Sequence, residues 1–159
     1  MKRFFWTLIC LCATLTVVRG QTVKVYDEQI DPMMQIDQAV SQAASGGKYV
    51  ICQVGGNWCR WCLMFADFIQ KDAEIAQVIN DNYIYIHVNY VPRKSSPKLM
   101  ERLDNAGRFG YPVLVVLRQD GTVLHIQDSS LLEEGNGYNR KKVLSFFKNW
   151  TPTAVSNKK

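Results

Sequence analysis

An almost unbroken apolar run at residues 48–54 passes through Gly55-Gly56 into Trp58-Cys59-Arg60-Trp61-Cys62, and a segment with helical spacing follows. A strand that is apolar on both faces has to be covered on both faces, which commits the chain to a sheet lying between helices. The flanking segments supply them. Met33, Ile36, Ala39, Val40 and Ala43 recur at three- and four-residue spacing after Asp31-Pro32, a helix cap and first position, and Gly46-Gly47 stops the pattern. Beyond the cysteines, Leu63, Phe65, Ala66, Phe68 and Ile69 give a second apolar stripe, resumed by Ile75, Val78 and Ile79 after Lys71-Asp72. One kinked helix or two consecutive helices fit that spacing.

Further strands are predicted at residues 22–26, at 83–89, where Ile84, Ile86 and Val88 alternate with polar-tipped residues, and at 113–117. Asp120-Gly121 between two apolar runs turns the last of these into a hairpin with residues 123–126. A short helix is expected over residues 98–106, after a loop marked by Pro92 and Pro97. Val143, Leu144, Phe147 and Trp150 define a closing helix after a polar loop at residues 133–139. The predicted order is β-α-β-α-β-α-β-β-α. It describes an α/β fold with a mixed, mostly parallel sheet, helices on both faces and a C-terminal hairpin at one edge.

The first twenty residues read differently. Met1-Lys2-Arg3 is basic, residues 4–18 carry no charge, and Val18-Arg19-Gly20 ends on a small residue. That is the layout of a secretory signal peptide cleaved after Gly20. The apolar run falls short of the roughly 20 residues that span a bilayer. Acylation at Cys10 or Cys12 is disfavoured by bulky Ile9 and Leu11 before them. The expected partition is residues 1–20 signal peptide, 21–151 one domain and 152–159 a flexible tail, with no stable membrane insertion after cleavage. A 159-residue chain with 47% apolar and 21% charged residues has room for one core.

Loss of Lys2, Arg3 and Arg19 lowers the formal charge from +5 to +2. The remaining basic residues are scattered, so the composition gives no reason to expect a nucleic-acid partner. Cleavage also removes Cys10 and Cys12 and leaves Cys52, Cys59 and Cys62. Three thiols allow at most one intramolecular bond, and Cys59 with Cys62 is the natural pair. At a helix start, unpaired backbone N–H groups and the aligned peptide dipoles favour a thiolate over a thiol. In such Cys-X-X-Cys sites the thiol pKa falls from about 8.5 to between about 3.5 and 7.5. Cys59 is therefore the expected exposed nucleophile, with the Arg60 charge pushing the same way, and Cys62, one turn deeper, the resolving thiol. Zinc ligation would need a second ligand pair, which the sequence does not offer beside His87 and His125. Neither an organic cofactor nor a metal is expected. Cys52 reads as a small buried hydrophobe, and the two histidines as strand residues.

Trp-Cys-X-X-Cys opening a helix after a buried strand, with Tyr111-Pro112 before a strand hairpin, resembles the thioredoxin-like family over essentially the whole mature chain. The resemblance implies that Pro112 is a cis-proline facing the disulfide, with Tyr111 able to pair with an extended substrate peptide and Trp58 shielding the thiolate. Arg60-Trp61 between the cysteines is similar to the exported bacterial members, which carry a bulky residue before the second Cys. One position departs from the family pattern. Six residues before the first Cys, cytosolic-type thioredoxins have a buried acid that moves a proton to or from the second Cys, and here Gln53 occupies it. An amide cannot take up and release that proton, so resolution by Cys62 is expected to be slower or more pH-sensitive.

The resemblance thus implies an exported thiol–disulfide oxidoreductase acting on protein thiols and disulfides, with a redox donor or acceptor protein as second partner. The compartment it points to is the bacterial periplasm, with secretion through a eukaryotic route as the other possibility. The competing function is a non-catalytic module of the same fold, binding a peptide or partner, whose disulfide is structural.

Overall fold

In the computed structural model, which describes residues 24–157, the apolar run forms the centre of a four-stranded sheet. Its elements are α1 (Pro32–Gly46), β1 (Tyr49–Gly55), α2 (Arg60–Lys71), α3 (Ala73–Asn82), β2 (Tyr83–Asn89), α4 (Pro97–Arg102), β3 (Val113–Leu117), β4 (Val123–Asp128), β5 (Glu133–Glu134), β6 (Gly137–Tyr138), α5 (Arg140–Asn149) and α6 (Pro152–Ser156). The strand order is β2-β1-β3-β4. β1 runs parallel to β2, antiparallel to β3, and β3 and β4 form the predicted hairpin. The mixed sheet with helices on both faces and a hairpin edge is the architecture expected, except that one of its three pairings, not most of them, is parallel. The signal peptide expected at residues 1–20 lies outside the described residues.

Local chemistry explains the boundaries. The Asp31 carboxylate accepts the Met34 N–H at 2.8 Å, Pro32 occupies the first helical turn, and Gly47 ends α1 with φ +67°, a conformation that suits glycine. Asp72 decides the question left open after the cysteines in favour of two helices. Its backbone is extended, and its carboxylate accepts the N–H groups of Glu74 and Ile75, so it ends α2 and caps α3. Such a cap contributes about 1 kcal/mol. Arg140 then ties the start of α5 to the same Asp72 and to Glu74.

Strand alternation sorts the core into two layers. Val50, Cys52 and Val54 of β1 join Val113, Val115 and Leu117 of β3 against Ile36, Ala39 and Ala43 of α1 and Leu99 of α4. On the other face Ile51, Leu114 and Val116 meet Phe65 and Ile69 of α2, Ile75 and Ile79 of α3, and Phe147 of α5. Gln53 points into this second face and is fully buried.

Two expectations need correction. Residues 24–26 form no strand, which leaves β1 with β2 as the parallel pairing among the described residues. The Tyr26 backbone is instead satisfied by one side chain: its N–H donates to Asn57 Oδ1 at 3.1 Å and its carbonyl accepts from Asn57 Nδ2 at 2.8 Å. At the other end, where an irregular tail was expected, Pro152–Ser156 forms the short helix α6, with the Thr151 hydroxyl accepting the Ala154 N–H. The short β5–β6 pair, turning through Gly135 at φ +59°, falls in the segment read as a polar loop.

Candidate active site

A turn closed by the Cys59 N–H donating to the Gly56 carbonyl at 3.0 Å carries the chain from β1 to α2. Cys59 is the N-cap of α2, and its sulfur accepts the Cys62 N–H at 3.2 Å. The two cysteines form a disulfide with Cα atoms 5.2 Å apart. The expected exposed nucleophile is less exposed than anticipated. Cys59 keeps 7% of its surface and Cys62 none, because Trp61, Tyr111 and Tyr26 pack around the pair. The asymmetry stands nonetheless: of the two cysteines only Cys59 has surface open to solvent.

Aromatic rings border the accessible side. Trp58, half-exposed, donates its indole N–H to the Tyr90 carbonyl at 2.9 Å and meets Tyr111 edge-on at 5.6 Å. Tyr90 stacks on Tyr111 at 5.2 Å. The Tyr111–Pro112 peptide bond is cis, the geometry the resemblance implies. Trp58 precedes Cys59 in the chain, and Tyr111, which leads into Pro112, packs against the cysteine pair. Arg60 is exposed on the first turn of α2, beside a groove of about 460 Å³ lined by Asn57, Trp58, Leu63, Met64 and Asp67. Trp61, half-buried, turns the other way and meets Tyr138 edge-on at 5.6 Å. The Tyr138 hydroxyl donates to the Trp61 carbonyl at 3.1 Å, tying the first turn of α2 to β6.

Beneath Cys62 the surroundings are polar. The Gln53 amide nitrogen donates to the Tyr26 hydroxyl oxygen at 2.6 Å and to the Cys62 carbonyl at 3.0 Å, while its oxygen accepts the Tyr85 hydroxyl at 2.6 Å. Burial holds the Tyr26 and Tyr85 phenols well above their ordinary pKa, so both remain protonated donors. His87 follows on β2, with its ring edge-on to Tyr26 and Tyr85. Burial lowers its pKa to about 4, so it is neutral near pH 7. Its Nε2 is buried with no hydrogen-bond partner among the described residues.

Cys52, on the opposite face of β1, is free and fully buried, its thiol pushed up to about 12 by burial, which makes it the inert hydrophobe expected. His125 stacks on Trp150 at 3.9 Å and is remote from the cysteines in the fold, on the edge strand β4. Among the described residues no group of three or more His, Cys, Asp or Glu side chains is placed to hold a metal ion.

Sequence reasoning overlooked Tyr26, Asn57, Tyr85, Tyr90 and Tyr138. A signal for Tyr85 was present: on β2 the apolar Ile84, Ile86 and Val88 face α1, so the alternate residues Tyr83, Tyr85 and His87 must face α2 and α3 and find partners there. Tyr26 and Asn57 gave none, since their pairing spans 31 residues.

The profile of the family described as Thioredox_DsbH, a protein of unknown function, DUF255, matches residues 22–149. The chain belongs to that family. The DUF255 chain is also similar in fold to three solved structures. A disulphide isomerase from Xylella fastidiosa Temecula1 superposes with a TM-score of 0.68 at 20% identity, covering 78% of this chain and 94% of the other. A DsbH oxidoreductase gives 0.53 at 20% identity, covering 77% and 82%. The C-terminal domain of Neisseria meningitidis DsbD in its oxidised form gives 0.50 at 19% identity, covering 74% and 94%. No curated protein matches the sequence at a significant level. The DUF255 chain therefore has a thioredoxin-like fold with a disulfide at a Cys-X-X-Cys site.

Proposed function

We propose that this chain is an exported thiol–disulfide oxidoreductase that exchanges disulfides with protein substrates through Cys59 and Cys62. One observation carries the reading. The Cys59 sulfur caps α2 and Cys59 keeps 7% of its surface, while its partner Cys62 is fully buried one turn below. A thiolate at Cys59 receives the Cys62 N–H and the positive end of the helix dipole, and only that sulfur can meet a client.

In the reducing direction the Cys59 thiolate attacks one sulfur of a client disulfide, forms a mixed disulfide and releases the other client sulfur as a thiolate. Cys62 then loses its proton and attacks the Cys59 sulfur, and the second client sulfur leaves with the electron pair of the broken bond. Two electrons have passed from the pair to the client, and the proton lost by Cys62 goes to one of the two client thiolates. The oxidising direction is the reverse, and a donor or acceptor protein resets the pair. The aromatic border of Trp58, Tyr111 and Pro112 receives the client chain, and Arg60 and Trp61 tune the first sulfur. Gln53 tunes the second. Because the Gln53 amide offers no base, Gln53→Asp should accelerate resolution and shift its pH profile, and an unchanged rate and profile would rule this role out.

Export is the expectation from residues 1–20. No helix among the described residues is long and apolar enough to cross a membrane, and the periplasm remains the compartment proposed from the signal-peptide layout of residues 1–20. The deciding experiment pairs turnover with trapping. The wild-type protein should reduce or oxidise a test disulfide protein, and Cys62→Ala should accumulate clients as mixed disulfides on Cys59 that a thiol reductant releases. No turnover, no adducts and a disulfide that resists reduction would leave the non-catalytic binding module standing instead.

A further inference from the structure

Chemistry fixes the direction of every hydrogen bond below Cys62. The Cys62 carbonyl can only accept, so the nitrogen of the Gln53 amide must face it, and the second N–H of that nitrogen is spent on the Tyr26 hydroxyl oxygen. The amide oxygen can only accept, so the bond to Tyr85 uses the Tyr85 proton. One donor is left over. The Tyr26 hydroxyl is fully buried, accepts from Gln53, and among the described residues has no acceptor for its own proton. Buried donors without partners are rare in folded proteins.

Gly55 shows where that proton can be used. A Cβ on Gly55 would overlap the Cys62 sulfur and lie 3.0 Å from the Tyr26 hydroxyl oxygen, so phenol and sulfur border one slot that the missing side chain leaves open. In the disulfide the sulfur is a weak acceptor. As a thiolate it is a full charge in a closed space, where a single charge-assisted donor counts for much more than in water.

We propose that Tyr26, positioned by Gln53, donates its hydroxyl proton in a hydrogen bond to the Cys62 sulfur of the reduced pair, most strongly when that sulfur is a thiolate, and thereby sets the balance between the reduced and disulfide forms. The inference rests on Cys59 and Cys62 forming an exchanging pair. An incoming thiolate attacks Cys59, the Cys59–Cys62 bond breaks, and its electron pair goes to the Cys62 sulfur. Tyr26 turns its O–H toward the new charge and keeps the proton, because burial makes the phenol a weaker acid than usual. The family's buried acid is thus replaced by a neutral donor, which can hold a thiolate but cannot take up a proton from the Cys62 thiol.

The test measures the equilibrium of the Cys59–Cys62 pair with a glutathione redox buffer. Tyr26→Phe keeps the ring and removes the O–H, and should shift the equilibrium about tenfold toward the disulfide, equal to a reduction potential about 30 mV lower. Replacement of Tyr26 by 3-fluorotyrosine, a stronger donor of nearly the same shape, should shift it in the opposite direction. Shifts in these two directions support the proposal; no shift in either variant, shifts of the same sign, or shifts with the signs reversed overturn it. Should Tyr26→Phe fail to fold, the fluorotyrosine protein decides alone by the sign of its shift. Neither reading needs client turnover. A wild-type protein that is inert toward a test disulfide protein would sink the proposed function and leave the potentials to judge Tyr26 separately.

Discussion

The two sulfurs of one disulfide have different neighbours. Around Cys59 lie surface aromatics, Trp58, Tyr111 and Tyr90, joined by ring contacts and one indole hydrogen bond. Below Cys62 lie Gln53, Tyr26 and Tyr85, joined by short hydrogen bonds, with Gln53 and Tyr26 fully buried and Tyr85 half-buried. The rim offers contact area to something outside, whereas the floor offers directed donors to a charge that exists only when the bond is open. The difference teaches how the proposed exchange would divide: selection of a partner would fall to the rim and control of the electron balance to the floor, so substitutions should separate them.

The largest effect is expected at the sulfurs themselves. Cys59→Ser should abolish exchange with a protein disulfide and form no adducts, while Cys62→Ser should still form mixed disulfides but fail to resolve them. Equal behaviour of the two variants in a trapping assay would erase the distinction between rim and floor. Next comes Gln53→Leu, which strands the Cys62 carbonyl and the Tyr85 hydroxyl in a dry site. Each lost partner costs about 1–3 kcal/mol, so urea denaturation of the oxidised protein should show a loss of about 3–4 kcal/mol.

His87 gives the floor a pH dependence with a defined sign. Its folded pKa of about 4 lies below the value of about 6.5 expected in the unfolded chain. As pH falls, the unfolded chain binds the proton first, so stability that is full above about pH 6.5 is lost down to about pH 4. The shift corresponds to about 2 kcal/mol once its partial exposure is allowed for. Burial depresses the pKa of His125 as well, which adds loss of the same sign. Denaturation at pH 7 and pH 4.5 should show the loss, and His87→Gln should reduce it. The smallest structural effect belongs to the rim. Trp58→Ala removes an exposed ring, with a stability change of about 1 kcal/mol or less, and a client KM raised several-fold at unchanged reduction potential. A potential that moved with Trp58 would join the two regions again.

Much of this arrangement is legible along the chain because it rests on local signals. The helix start at Cys59 follows from Gly55-Gly56 and the stripe that begins at Leu63, and the hairpin from Asp120-Gly121, whose glycine adopts φ +81°. The cis bond at Tyr111–Pro112 came from the resemblance to a family. What the sequence hid is settled over long separations. Residues 22–26 carry β-type residues, yet Asn57 claims the Tyr26 backbone and turns the ring beneath the disulfide. Gln53 was recognisable as a departure from the family pattern, but its partners Tyr26 and Tyr85 lie 27 and 32 residues away in opposite directions. The division between α2 and α3 turned on the backbone of a single residue, Asp72, which periodicity alone cannot resolve.

The bond from Tyr138 to the Trp61 carbonyl carries a consequence for how the protein is made. It joins positions 77 residues apart, so the last strut of the first turn of α2 is synthesised long after the cysteines. At ordinary rates of translation the pair waits roughly 4–15 s for Tyr138 to emerge. During that interval Cys59 and Cys62 belong to a nascent chain whose site is unfinished, and any oxidant they meet acts on two ordinary thiols. The first turn of α2 gains this strut only when β6 has been added.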